Sequence, residues 1–547
     1  MNDLFRTLLN YFHTIRYLRL IQILGRLKRY FKFNEINNNS AESIRVSNGM
    51  WVSPAKRSQR MFKKNSFRFL NKTYELNESE DWNNPNWEKL WLYNLHYFDD
   101  LTAINAKDRS NLHDSLINKW IEDNAFCSGN GWEPYTISLR AVNWIKWHIS
   151  GQNLSSKQIH SLNVQIRFLS KNIEIHLMGN HLIANAKALI FSGLFFSGNE
   201  ANSWYKKGCK ILTTEISEQI LKDGGNFELS TMYHSLILED FLDILNLHRL
   251  FEYPSPDLLE PTITKMLSWL SVMCHPDEEI SFFNDAALDN TPSTQELFRY
   301  SSELGFSQTK NVLGVTDLKE SGYSRISLKN AVAIIDRAAV GASYIPGHAH
   351  ADSLSFELSI FGERVIVNSG TSLYGLGKER LRQRGTSAHS TVMIDNHDSS
   401  EVWSGFRVAR RAKISGVQTS NDNENIYLSA QHDGYKRLNG SPIHSRSWIF
   451  KKNIIEIVDN IYGKGIHDIK VILHLHPSIK IINIKKNHVD VGMIKKSKVK
   501  ILFEGSGELM IEKSSYHPEF GVSIPTNKLV YQLTGKIPTR VITRINW

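Results

Sequence analysis

The sequence predicts two domains of different class, a helical one followed by an antiparallel β one, and two observations carry that expectation. The chain has 547 residues, more than a single compact core usually serves. Its hydrophobic period also changes. Apolar residues recur at three- and four-residue steps from about residue 85 to 310, and alternate residue by residue after about residue 320. Separate runs of helices and strands imply separate helical and β domains. A hydrophobic content of 41% and an aromatic content of 11% supply real cores and exclude global disorder.

Taken in order, residues 1–84 read as a basic N-terminal helical segment and linker. Arg6, Arg16, Arg19, Arg26, Lys28 and Arg29 interrupt the first thirty residues too often for a signal-peptide core or a spanning helix. The pattern is that of a basic amphipathic helix, which can lie on an anionic membrane surface or pack on the helical domain. The expected compartment is cytoplasmic with membrane association, and the periplasm is the alternative. Residues 36–66, polar and rich in Asn and Ser, read as a loop or linker. Residues 85–315 form the expected helical domain, with Leu229, Met232, Leu236, Phe241 and Leu245 marking one helical stripe. HLIANAKALIFSGLFF and YTISLRAVNWIKW behave alike.

Residues 316–547 form the expected β domain. From Leu354 to Ile360 apolar and polar residues alternate strictly, predicting a strand with one buried face. Phe361-Gly362-Glu363 reads as a turn into Val365-Ile366-Val367, closing a hairpin. SRSWIFKKNIIEIVD, IKVILHLHPSIKIINI, NKLVYQLTG and TRVITRINW favour further strands through their Ile and Val.

The net charge of +10 favours a polyanionic partner. No nucleic-acid-binding motif is present, so nucleic acid is not the expected partner. Cys127, Cys209 and Cys274 are too few and too far apart for a disulfide framework or a metal knuckle. Gly347-His348-Ala349-His350-Ala351-Asp352 carries the clearest chemistry. Two alternate histidines at a strand entrance would face the same way, and imidazole both transfers protons near neutrality and binds metals.

GHAHADSLSFELSIFGERVIVNSG followed by RGTSAHSTVMID resembles the C-terminal domain of the heparinase II/III family of polysaccharide lyases. WLYNLHYFDDL, GWEPYTISLRAVNWIKW, GNHLIANAKALIFSGLFF and DGGNFELSTMYH resemble its helical half, especially in members associated with bacterial surface polysaccharides. The resemblance implies an incomplete α/α toroid joined to an antiparallel β-sandwich. It also implies β-elimination next to a uronic acid in an acidic polysaccharide or oligosaccharide. That chemistry needs a base at C5, a partner for the carboxylate and an acid at the leaving oxygen.

The family motifs assign these roles to Asn180 for the carboxylate, Tyr233 as acid (and base for some epimers) and His348 as base or its partner. They further suggest substrate contacts at Asn94, His96, Arg140, Asn143, His181, His234 and Arg384, with Arg380 as an anion contact or a surface charge. No cofactor is required by this chemistry. Some members bind a structural zinc through His, Asp and His, and His350 and His389 match the two histidines. Asn368 stands where the aspartate is usual, and a neutral amide is the poorer ligand. Zinc or another divalent metal, and a hydrogen-bonded His–Asn–His cluster, are the two readings of that trio. A glycoside hydrolase using two of Glu133, Glu228 and Asp285, and a non-catalytic glycan-binding or assembly protein, are the competing functions.

Overall fold

The computed structural model describes residues 3–29, 37–308, 311–422, 425–494 and 497–547. Residues 1, 2, 30–36, 309, 310, 423, 424, 495 and 496 of the segments discussed above lie outside them. The chain opens with a pair of helices, α1 (Asp3–Ile15) and α2 (Leu20–Arg29). Where a linker was expected, residues 37–60 lie extended across the helix ends, tied by Arg45 N to Phe195 O (2.7 Å) and Gly49 N to Leu250 O (2.8 Å). Gly49 allows that approach, because a Cβ there would stand 2.2 Å from the Arg249 carbonyl. A three-stranded antiparallel sheet follows: β1 (Met61–Lys63), β2 (Ser66–Phe69) and β3 (Lys72–Glu75). Met61, Phe67 and Phe69 are buried in the helical core, so this region is docked rather than a spacer. The expected linker ignored them because three strands this short carry almost no periodic signal.

The helical domain comprises α3 (Lys89–Tyr97), α4 (Ser110–Asp123), α5 (Pro134–Ile149), α6 (Ser156–Lys171), α7 (Gly179–Phe195), α8 (Asn199–Gln219), α9 (Thr231–Leu250), α10 (Leu259–Met273) and α11 (Thr294–Glu303). Successive helices pack on their neighbours, with α7 between α5, α8 and α9. Such a central helix is apolar all round, and almost every residue of α7 is buried.

The β domain is a sandwich of two antiparallel sheets around one shared core. The first sheet contains β4 (Gly314–Leu318), β5 (Tyr323–Ser327), β6 (Ala331–Asp336), β7 (Phe356–Ile360) and β8 (Glu363–Val367). After a short helix α12 (Lys378–Arg384) come β9 (Val392–Ile394) and a two-stranded flap, β10 (Val402–Trp403) with β11 (Arg407–Val408). The second sheet starts with β12 (Ile414–Asn421), β13 (Ile426–His432), β14 (Ile443–Lys451) and β15 (Ile454–Tyr462). Next come β16 (Ile466–Leu475), β17 (Lys480–Lys485), β18 (His488–Gly492), β19 (Lys498–Glu504), β20 (Glu508–Tyr516), β21 (Ile524–Lys536) and β22 (Thr539–Asn546). Strand orders are β20-β21-β16-β8-β7-β6-β5-β4, with β9 also on β16, and β12-β13-β14-β15-β22-β19-β18-β17.

The β7–β8 hairpin forms as expected, with positive φ at Phe361 and Gly362 supplying the tight turn. β7 departs from the alternation in the sequence, because both of its faces are buried. Its polar side meets the helical domain. His275 places Nε2 2.8 Å from Glu357 Oε2 and Nδ1 2.8 Å from Ser359 Oγ. Arg364 on β8 pairs with Asp277 at 2.7 Å. The seam between domains is therefore a polar one.

Candidate active site

Asp285 is the hub of the seam. Asn284 before it sits at φ +58° and hydrogen-bonds in both directions. Its Nδ2 donates to Leu229 O (2.9 Å), and its Oδ1 accepts from His350 N (3.0 Å). Asp285 N donates to His348 O at 3.0 Å. The stretch 347–352 is thereby fastened to the helical domain as a loop, not the strand entrance the sequence suggested. The two histidines converge all the same, because both bind one carboxylate. His348 Nδ1 lies 2.8 Å from Asp285 Oδ2, and His350 Nε2 lies 2.8 Å from Oδ1. Arg380 adds a two-pronged ion pair to the same group.

Burial opposes charge on Asp285. The Arg380 guanidinium and the hydrogen bonds from His348, His350 and Arg380 prevail and hold the carboxyl well below its usual range. An ionised carboxylate only accepts hydrogen bonds. His348 therefore gives it Nδ1–H, which in the neutral ring leaves the lone pair on Nε2.

Tyr233 stands in the first turn of α9, where Ser230 caps the helix by accepting from Tyr233 N (3.2 Å) and donating to Asp285 O. Its ring lies on His348 with centroids 3.9 Å apart, and its hydroxyl is 2.9 Å from that of Tyr374. Burial raises both phenols well above their ordinary value, so each stays protonated at neutral pH. Arg380 sits 4.9 Å over the Tyr374 ring, and Phe406 of the flap packs 5.2 Å from it.

Asn180 is in the first turn of α7, half-buried, with Nδ2 3.5 Å from Tyr135 OH. Two helix N-termini thus border the site, each favouring negative charge. Glu228 lies between them and His348. A Cβ on Gly179 would be 3.3 Å from Oε1, and Oε2 is 3.8 Å from His348 Nε2. Neither oxygen has a hydrogen-bond partner among the described residues, and burial raises the carboxyl's pKa.

The other sequence candidates divide sharply. His181 and Asn94 remain half-buried, His181 against Glu174 (3.2 Å) and the Tyr135 ring (4.4 Å). Asn94 lines a recess with Arg57, Arg60, Asp99 and Phe520. The remaining candidates are corrected to interior roles. His96 accepts from Trp120 Nε1 (3.0 Å) and reaches Trp82 O (3.0 Å). Arg140 spends its guanidinium on Gln165 Oε1, Gly131 O and the Trp120 face. Asn143 donates to Tyr97 O and Asp99 Oδ1, both at 2.8 Å. His234 stacks on Trp269 at 4.3 Å and contacts Met266 O at 3.0 Å. Arg384 holds the carbonyls of Ala349, Ser404 and Gly405. Arg380 is likewise neither a surface charge nor a free anion contact. Burial drives the imidazoles of His96 and His234 down to about 3, so both are neutral spacers.

The suggested metal trio forms a chain instead of a cage. His350 Nδ1 is 3.2 Å from His389 Nε2, and His389 Nδ1 is 3.1 Å from Asn368 Oδ1. Asn368 therefore meets His389 on the nitrogen opposite to the one facing His350, and the three donors do not converge. Among the described residues no group of three or more His, Cys, Asp or Glu side chains could hold a metal ion. This donor set does not fit a structural zinc.

Three site residues escaped the sequence reading in their roles: Tyr374, Glu228 and Asp285. Glu228 lies inside DGGNFELSTMYH, five residues before Tyr233, which was the available signal. Tyr374 follows the NSG that ends the motif around His348. Asp285 was visible only as a carboxylate.

Comparison with known proteins places the chain. The chain matches the family described as Heparinase II/III N-terminus over residues 6–312, and that described as Heparinase II/III-like, C-terminal over residues 312–547. A Heparin-sulfate lyase of Bacteroides stercoris is 28% identical over 312 residues, 52% of this chain and 44% of that protein. The Heparin-sulfate lyase of Pedobacter heparinus is 25% identical over 316 residues, 52% of this chain and 45% of that protein. The chain spans about half the length of these curated relatives.

A crystal structure of Heparinase III superposes with a TM-score of 0.67 at 17% identity, covering 83% of this chain and 76% of that one. A heparan sulfate lyase from Pedobacter heparinus gives 0.59 at 19% identity, covering 96% and 88%. These likenesses establish an α/α toroid with a β-sandwich. With both halves of the family matched over almost the whole sequence, the chain belongs to the heparinase II/III family.

Proposed function

We propose that this chain is a carbon–oxygen lyase that cleaves an acidic, uronic-acid-containing glycan by β-elimination, in bacterial surface-polysaccharide metabolism. The observation that carries the reading is Tyr233 stacked on His348, with His348 oriented by an ionised Asp285. In this reading Asn180 and the N-terminus of α7 take the uronate carboxylate, which delocalises the charge that develops at C5. His348 Nε2 accepts the C5 proton. The C4–O bond breaks as the C4=C5 double bond forms, and Tyr233 returns a proton to the leaving oxygen. Tyr374, hydrogen-bonded to Tyr233, holds that phenol and can relay its proton. No water enters the products.

Relatives named heparin-sulfate lyases support the reaction class, and the +10 charge supports an acidic substrate. A hydrolase reading loses ground because Asp285 is locked between Arg380 and two histidines and cannot act as a general acid. The same reading keeps the chain cytoplasmic, at a membrane through residues 1–30, with nucleic acid not a partner. The test is ultraviolet absorbance during incubation with a panel of acidic polysaccharides that includes the host's own surface glycan. A conjugated unsaturated uronate produces a rising signal that Tyr233→Phe and His348→Ala abolish. New reducing ends without the chromophore would refute elimination.

A further inference from the structure

The N-terminal helix pair is attached to the molecule by its polar side. On α1, Thr14 Oγ1 accepts from Trp403 Nε1 (3.1 Å), and Tyr11 packs edge-on against Trp403 at 4.9 Å. Arg411 lies 4.0 Å over the Tyr17 ring. At the start of α2, Arg19 pairs with Glu218 (2.5 Å) and covers the Tyr344 ring at 3.7 Å. Gln22, only 3% exposed, donates to Tyr344 O. Gly25 comes so close to His176 that a Cβ would stand 2.9 Å from the His176 Cβ. The pair therefore bridges both domains, with Glu218 and His176 on the helical side and Tyr344, Trp403 and Arg411 on the other.

Its apolar side points outward. Phe5, Leu8, Phe12 and Ile15, at helical spacing on one face of α1, are each more than half exposed. Leu20, Leu24 and Leu27, at helical spacing on α2, are also more than half exposed. Helices in soluble domains bury such a stripe, and exposed apolar patches of this extent mark interaction surfaces. We propose that this outward face is the seat of an anionic lipid surface, in which α1 and α2 lie flat at the headgroup level. Charge selects the occupant. Residues 1–30 carry six Arg and Lys against Asp3 alone, and the exposed side chains of Arg16 and Arg26 flank the stripe. A second copy of a chain with net charge +10 would set like charge against like. Anionic headgroups complement it. Among the described residues no helix is long and apolar enough to cross a membrane, in keeping with an in-plane contact.

The contact has a consequence for the site. Phe406, at the tip of the flap that α1 grips, lies 6.0 Å from the His348 ring. Tyr344, gripped by α2, precedes His348 by four residues. A lipid surface that holds the helix pair thereby holds two segments next to His348. This deepens the membrane part of the functional reading and does not depend on the elimination chemistry.

The experiment is co-sedimentation of the full chain with phosphatidylglycerol–phosphatidylcholine vesicles and with pure phosphatidylcholine vesicles. Binding is expected to the anionic vesicles and to fall as salt rises. It should drop about tenfold or more in Arg16→Gln/Arg26→Gln, each charge being worth several-fold at a surface, and be lost in Phe12→Ser/Leu24→Ser. Those side chains touch solvent, so an unchanged circular dichroism spectrum and melting temperature are expected. Turnover of a soluble oligosaccharide should be unchanged too, which separates failure of docking from failure of the enzyme reading. Absence of binding to anionic vesicles by the wild type would overturn the proposal. So would a wild-type dimer in light scattering that Phe12→Ser/Leu24→Ser makes monomeric, since a second copy would then be the occupant.

Discussion

Two buried acid clusters, one at Asp285 and one at Asp243, differ in a way that separates a site from a scaffold. Asp243 is enclosed by Lys146, Lys187 (2.6 Å) and Tyr300 (3.1 Å), all from the helical domain and all buried. Lys187 also pairs with Asp240 at 2.7 Å, so two lysines balance two carboxylates, with no imidazole among them. Asp285 is just as deeply buried and as well paired, yet one of its partners, His348, reaches a half-exposed position against two tyrosines. A buried charge cluster that carries such an imidazole can fix its tautomer beside those phenols. One without an imidazole at its rim can only hold helices together.

The largest expected effect that tests this contrast is on turnover. Tyr233→Phe should lower kcat by about 10²–10⁴-fold, the usual worth of a positioned proton donor. Its stability cost should stay near 1 kcal/mol, because the ring still stacks on His348 and only one hydroxyl bond is lost. Melting curves beside the rates will show whether the two effects separate.

Asp285→Asn and Asp243→Asn sharpen the comparison further. Each breaks a buried ion pair and should cost about 3–5 kcal/mol. Only Asp285→Asn should also depress kcat in the molecules that remain folded, because an amide can offer N–H to His348 Nδ1 and draw the lone pair away from Nε2. Equal kcat loss in both variants, measured at a temperature where both are folded, would break the contrast.

Acid should act next. Burial lowers His350 to about 4 and His96 and His234 to about 3, against an ordinary 6.5. The unfolded chain takes up these protons near pH 6.5, whereas the folded chain resists them. Stability is therefore fully present above pH 6.5 and is lost as pH falls toward 3, by a few kcal/mol for each such group. Urea midpoints across pH 7 to 4 measure it, and a flat profile would contradict these burials. Arg140→Met should cost stability with little change in kcat/KM, since that guanidinium serves Gln165 and Gly131. The smallest effect is expected from chelation. The donors of His350, Asn368 and His389 do not converge, so ethylenediaminetetraacetate should leave the melting temperature unchanged.

Much of this was legible in the sequence, and the remainder failed for physical reasons. The change of period around residue 320 marked the boundary between helices and strands. The motifs around Asn180, Tyr233 and His348 marked elements that meet at the domain seam. Neighbours in those motifs misled, because a residue one step along a helix points elsewhere: Tyr233 faces His348 while His234 stacks on Trp269. A motif constrains the fold and the chemistry together, so His96, Arg140 and Arg384 looked like contacts and proved to be interior struts. Asp285 and Tyr374 lie in irregular loops, where no periodicity predicts direction. The polar side of β7 looked like a solvent face because a sequence does not reveal a second domain packed against it.

The most direct measurement is the mass of the products released from a defined uronate-containing oligosaccharide. Elimination predicts that the two product masses sum to that of the substrate, with none formed by Tyr233→Phe. A sum larger by one water, or undiminished product from Tyr233→Phe, would contradict the account.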